Sequence, residues 1–159
     1  MIRPILLLGD PALYEKSVPV LEDEMERLSS LIIDLHDTLL DYRLRYGAGR
    51  AIAAPQIGVA KRVLYMNTGE AMIFVNPALE PDASETLEVL DDCMCFPGLR
   101  VRVRRFRRCT IRFRDELWRE RSLELEGDLS ELLQHEYDHL DGVLATMRAI
   151  DDKAFFLVI

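Results

Sequence analysis

Histidine is scarce in this 159-residue sequence, at three residues: His36, His135 and His139. Cysteine is as scarce and odd in number: Cys93, Cys95 and Cys109. That count argues against a scaffold stapled by disulfides. Residues 1–9 carry a short apolar patch but no small-residue cleavage pattern or long apolar region, so no secretory leader is expected. The expected compartment is a reducing cytoplasm, with free thiols. No apolar run approaches the roughly 20 residues of a membrane span, so no membrane partner is expected. Basic excess is also missing: the formal net charge is −8, which disfavours broad nucleic-acid binding. There is no repeat, low-complexity tract or interdomain linker, so a single domain over residues 1–159 is expected. A chain of this length buries about 70% of its unfolded surface.

Glu22 to Arg45 reads as a helix, with Leu28, Leu31, Ile32, Leu35, Leu39 and Leu40 recurring at three and four. Glu22, Asp23 and Glu24 suit its first turn, and Gly47 and Gly49 end it. His36 lies within it as a helix-face residue. Arg62–Asn67 and Met72–Asn76 read as strands around a Thr68-Gly69-Glu70 turn, and Thr86–Leu90 as another. Leu99–Arg105, Thr110–Arg114 and Leu117–Leu123 suggest a meander. Gly127-Asp128 opens a second helix, Gly142 follows it, and Val143–Arg148 reads as a closing strand. Strands before a single late helix predict an α+β fold, with antiparallel sheets packed around that helix.

Two of the three histidines fall in Gln134-His135-Glu136-Tyr137-Asp138-His139. Residues four apart on a helix are offset by only about 40° around the axis, so His135 and His139 can grip one ion. Glu136 beside them is a proton acceptor. The pattern arises by chance in acid-rich chains, but Leu132, Leu133 and Leu140 imply that part of this helix is buried. Two imidazoles and a carboxylate are poor core residues unless something pairs them. Two ligands do not close a site. With only His36 left, the third must be a carboxylate or a cysteine.

Asp91-Asp92-Cys93-Met94-Cys95 lies upstream, and its Cys-x-Cys pair reads as buried packing, a redox pair or a ligand loop. A Cys-His-His set would leave one tetrahedral position open for water, as a catalytic ion requires. Gly47 to Gly58 is rich in small residues, and Pro55 stiffens the approach to Gln56. The Gln56 amide could donate to a developing oxyanion, or the stretch could be an ordinary tight loop. Eight arginines fall between Arg100 and Arg114. They could contact RNA, but Val101 and Val103 alternate with Arg100, Arg102 and Arg104. A strand with a basic solvent side, paired with Asp115, Glu116, Glu120 and Glu124, accounts for them without specific nucleic acid.

Taken in order, these segments resemble the peptide deformylase family, whose pattern is Gly-x-Gly-x-Ala-Ala-x-Gln, then Glu-Gly-Cys-x-Ser, then Gln-His-Glu-x-Asp-His. The resemblance covers nearly the whole chain, from Gly9-Asp10-Pro11 through Phe74-Val75-Asn76-Pro77 to the complete third motif. It implies one divalent ion on Cys93, His135 and His139, Fe²⁺ in the cell with Zn²⁺ or Ni²⁺ as substitutes. It implies Glu136 as the general base, with Gln56 and the backbone N–H of Met94 as oxyanion donors. Gly49, Arg50, Ala51, Asp92 and Arg100 fall where the family meets its substrate, an N-formylated peptide such as formyl-methionyl. The expected reaction is hydrolytic removal of the formyl group. A transient ribosome contact is also implied, though not through the C-terminal helix of many bacterial members, since the sequence stops at Ile159.

Several positions depart from the pattern. Ala51 replaces a glycine and Arg50 an apolar residue. Asp91, Asp92 and Cys95 stand for Glu, Gly and Ser. Asp128 and Glu131 bring charge near the expected methionine-binding surroundings. These changes leave two alternatives open, a non-catalytic deformylase-like binder or a deformylase for a non-methionine N-formyl substrate. A zinc peptidase would instead need a downstream ligand, for which only Asp141, Asp151 and Asp152 remain.

Overall fold

The structure is a computed structural model and describes residues 1–158. A long helix, α1 (Met25–Tyr46), follows a 3-10 turn at Glu22–Glu24. The expected helix thus begins one turn late, because the Glu24 carboxylate accepts the Leu21 N–H at 2.7 Å and tightens the entry. Leu28, Leu35 and Leu39 give α1 its buried stripe. Gly47 closes it in a left-handed conformation (φ 66), donating to the Arg43 carbonyl.

Five strands form the larger antiparallel sheet: β1 (Ala51–Ala53), β2 (Val63–Asn67), β3 (Ala71–Pro81), β6 (Arg108–Arg114) and β7 (Glu120–Glu126), in that spatial order. β2 is apolar on both faces, and the alternation assigns each side chain a partner layer. Val63 and Tyr65 join the cluster under α1, while Leu64 and Met66 face the cluster built with Leu132, Leu133 and Leu140 of the second helix, α2 (Asp128–Leu140). β3 outruns its expected end, because Asn76 takes a left-handed conformation (φ 49) and breaks the register between Val75 and Ala78. Its side chain accepts from the Val20 N–H and donates to the Val20 carbonyl, both at 2.8 Å.

A smaller sheet has the order β4-β5-β8, from β4 (Thr86–Asp91), β5 (Leu99–Phe106) and β8 (Phe155–Leu157). The expected three-strand meander is therefore corrected. β6 and β7 form a hairpin, but β5 pairs with β4 and β8 in the other sheet. Alternation fixes which face of a strand is buried, not which strand lies beside it. β7 starts at Glu120 rather than Leu117, because the Asp115 carboxylate caps the Leu117 and Arg119 N–H groups at 2.9 Å. The closing strand expected at Val143–Arg148 is instead a 3-10 turn at Ala145–Arg148. Arg148 points back at Asp138 there, and β8 provides the last strand. No described helix is long and apolar enough to cross a membrane.

Candidate metal centre and its cleft

α2 runs between the two sheets with its first turn unblocked by any side-chain cap, and Asp128 and Glu131 complement the helix dipole there. Leu132, Leu133 and Leu140 anchor it in the core, and nearly the whole of its last two turns is buried. That burial places His135 (5% exposed) and His139 (1% exposed) one turn apart, with ring centroids 5.1 Å apart. The loop leaving β4 brings Cys93 to them: its Sγ lies 3.3 Å from His139 Nε2. One ligand atom from each of Cys93, His135 and His139 falls within 4.8 Å of the others. The Phe96 N–H closes this loop on the Cys93 carbonyl, and the Cys95 N–H donates to the Cys93 sulfur at 3.4 Å.

His135 is held from behind. Its Nδ1 lies 2.9 Å from Asp91 Oδ2, so with Nδ1 donating, Nε2 is left for an ion. Arg105 bridges Asp91 (2.8 Å) and Asp138 (2.6 Å), and Arg148 reaches Asp138 from the surface. Burial opposes charge on Asp91, but His135 and Arg105 outweigh it and hold its pKa at about 2. Burial likewise works against a charged His135, and the Asp91 carboxylate wins, raising it to about 9. His139, buried beside His135 with no such partner, is held well below its ordinary value. Burial pushes the Cys93 thiol up, while its contact with Cys93 brings Cys95 down.

Glu136 and His135 line a cleft of about 380 Å³, together with Gly49, Arg50, Ala51, Gln56, Asp92, Cys93 and Met94. The fold thus gathers most of the expected site residues around one space. Burial raises Glu136 to about 7, in the range of a proton-transfer group at neutral pH. Gln56 is fixed by its Oε1, which accepts from the Ala53 N–H at 2.8 Å; its Nε2 faces the Cys93 and Cys95 sulfurs at 3.6 and 3.5 Å. A thiol and two imidazoles form a donor set suited to a divalent ion of the zinc or iron type, and beside them one buried carboxyl oxygen of Glu136 has no hydrogen-bond partner.

Two expected residues lie elsewhere. Arg100 is exposed on β5, in register with Phe156, and does not line the cleft. Asp128 is exposed at the start of α2, also outside the cleft wall. His36 accepts or donates at Tyr65 Oη (2.6 Å) under α1, away from the donor set. Asp141, considered as a downstream ligand, is engaged by Arg62 at 2.9 Å. The arginines of β5, β6 and the turn between them pair mostly with acids other than those expected: Arg104 with Glu88, Arg107 with Glu85, Arg108 with Glu126 and Arg112 with Glu80. Arg105 escaped the sequence reading, although its period-two position after Val101 and Val103 puts it on the inward face.

An antiparallel α+β frame that gathers a thiol, two imidazoles and a carboxyl at one cleft has the make-up of a metallohydrolase. The polypeptide deformylase family model matches residues 2–155. The peptide deformylase of Salinibacter ruber is 36% identical over 161 residues, covering 92% of this chain and 80% of the relative. The crystal structure of the Thermotoga maritima peptide deformylase superimposes with a TM-score of 0.86 at 29% identity, covering 95% of this chain and 99% of that one. A class I type b peptide deformylase of Acinetobacter baumannii, solved with Met-Ala-Ser bound, gives 0.85 at 26% identity, with 93% and 98% covered. The chain belongs to the polypeptide deformylase family, enzymes that act on N-formyl peptides.

Proposed function

We propose that this chain hydrolyses the N-formyl group of peptides with one divalent ion held by Cys93, His135 and His139. The observation that carries this reading is the approach of those three ligand atoms to within 4.8 Å, with Glu136 in the wall of the adjoining cleft. A divalent ion held by these three residues would supply Lewis acidity and would make a water more acidic, toward a pKa of about 7. The Glu136 carboxyl takes the proton from the attacking water and returns it to the departing amide nitrogen. In the metal-free fold burial raises its pKa to about 7, which suits a group that exchanges a proton at neutral pH. The Gln56 Nε2–H and the Met94 backbone N–H donate to the oxygen that gains charge in the transition state. The bond from Ala53 N–H to Gln56 Oε1 fixes the amide so that its NH₂ end faces the sulfurs. Gly49 and Ala51 bring backbone close to the substrate, and Asp92 lines the outer cleft. The free, buried cysteines fit a reducing cytoplasm, and a substrate class that includes new polypeptide chains supports a transient encounter with the ribosome.

Formate release from formyl-Met-Ala, measured anaerobically with the bound metal quantified, tests the reading. Stoichiometric metal with formate release that vanishes on chelation is expected. A metal-loaded protein that releases no formate from any formyl peptide refutes it.

A further inference from the structure

Arg50, at the entrance to β1, reaches across the cleft to Glu131, with its Nη2 3.2 Å from Glu131 Oε1. Glu131 stands one helical turn before His135 and so shares its face of α2. The two partners are unequally buried: the Glu131 side chain is 16% exposed and that of Arg50 46%. Leu90, Leu132 and Met94 supply the apolar part of the same wall.

We infer that Glu131, paired with Arg50, is a specificity-determining residue, and that the cleft selects an N-formyl substrate whose first side chain ends in a cation. The inference rests on the deformylase reading and names its substrate class. An uncharged side chain laid on the pair strips water from both charges and returns no hydrogen bond, which costs more than its apolar area gains. An alkylammonium chain lays its stem on Leu90 and Leu132 and places its charge on Glu131. The longer and more exposed Arg50 then turns its guanidinium to water at little cost. Of the acids lining this cleft, Asp92 and Glu131 face Arg50 alone, whereas Asp91 is already paired with Arg105 and His135, so an anionic side chain meets repulsion. The Glu131 pKa points the same way: burial and then the Asp91 carboxylate raise it, and Arg50 only partly offsets them. The carboxylate is short of positive charge.

The discriminating substrates are formyl-Lys-Ala and formyl-norleucyl-Ala, which share a stem and differ in the ammonium, with formyl-Glu-Ala as the anionic control. Metal-loaded wild type should favour lysyl over norleucyl by about tenfold in kcat/KM, the effect of about 1.4 kcal/mol, with glutamyl slowest. Glu131→Leu should reverse the lysyl preference, and Arg50→Leu, at the exposed partner, should increase it. A norleucyl preference that is the same in wild type and both variants overturns the inference while leaving the deformylase reading intact. If no peptide yields formate, the deformylase reading fails. Calorimetric titration of the same peptides then decides selectivity, with equal binding of lysyl and norleucyl peptides overturning it and tighter lysyl binding supporting it.

Discussion

Glu136 and Asp91 are both carboxylates at the centre, and their surroundings push them in opposite directions. Burial without a cationic hydrogen-bond partner raises Glu136 to about 7, whereas His135 and Arg105 hold Asp91 at about 2. One is therefore fit to exchange a proton and the other to stay charged and orient a ligand. Glu136→Gln should retain the metal and lose about 10²–10⁴-fold in formate release, because an amide cannot accept the proton. Metal analysis alongside single-turnover formate release checks this, and wild-type turnover in the variant would remove Glu136 from the base role. Asp91→Ala frees the His135 ring and should weaken metal affinity by about 10–100-fold, read by competition with a chromophoric chelator. Unchanged affinity would mean that packing alone orients His135. The two histidines and Glu136 were legible from helical spacing, because they lie on one element. Cys93 needed the family resemblance, since nothing in Cys-x-Cys spacing says which helix it will meet. Arg105 was hidden among seven other arginines, and only strand alternation marked it as inward.

Gly142 shows how one element is seated against another. It follows α2 with φ +71, and a Cβ there would lie 2.6 Å from the Tyr14 carbonyl carbon and closer still to its oxygen. The 3-10 turn at Pro11–Tyr14 is thereby pressed onto the end of α2, where the Ser17 N–H also takes the Leu140 carbonyl at 2.8 Å. Gly142→Ala should cost about 2–4 kcal/mol, from the left-handed backbone together with the clash. Denaturant unfolding checks it, and a midpoint equal to wild type would show that the two segments slide apart freely. The two helices were legible because each carries a 3.6-residue apolar stripe over several turns, and α2 carries polar ligands besides. β1 carries no strand signal in the sequence because Ala51–Ala53 shows no alternation: it is buried on both faces. β8 spans three residues, and its pairing with β5 depends on a partner more than 50 residues upstream. β6 and β7 were recoverable as a hairpin because their turn is local, whereas the assignment of β5 to another sheet is a tertiary fact. Its registered acids, such as Glu88 opposite Arg104, settle that choice only once β4 lies beside it.

At the scale of the whole molecule, the ion pair behind His135 links folding, protons and metal. In the metal-free chain His135 has a folded pKa of about 9 against an ordinary 6.5. Its raised pKa stabilises the fold fully below 6.5, and that contribution is lost as pH rises through about 9. Asp91 runs the other way, from an ordinary 3.8 down to about 2, so its contribution is present above 3.8 and fades as pH falls through about 2. The Asp91–His135 pair therefore contributes most to the metal-free fold between about pH 4 and 6.5, and its contribution is lost toward pH 9. A divalent ion held as proposed would reverse the alkaline limb: it would take the His135 nitrogen that would carry the second proton and the Cys93 sulfur, whose thiol form is favoured by burial. Metal uptake then releases protons, and apparent affinity should weaken by up to about tenfold per proton for each pH unit lowered. Thermal unfolding of chelated and loaded protein at pH 5.5, 7 and 8.5 reads both effects at once. The Tm of the chelated protein should fall across that series while the gap to the loaded protein widens. Parallel curves would mean that His135 already carries its metal-ready, neutral charge state in the free fold, and that the Asp91 pair orients the ring without holding a proton on it.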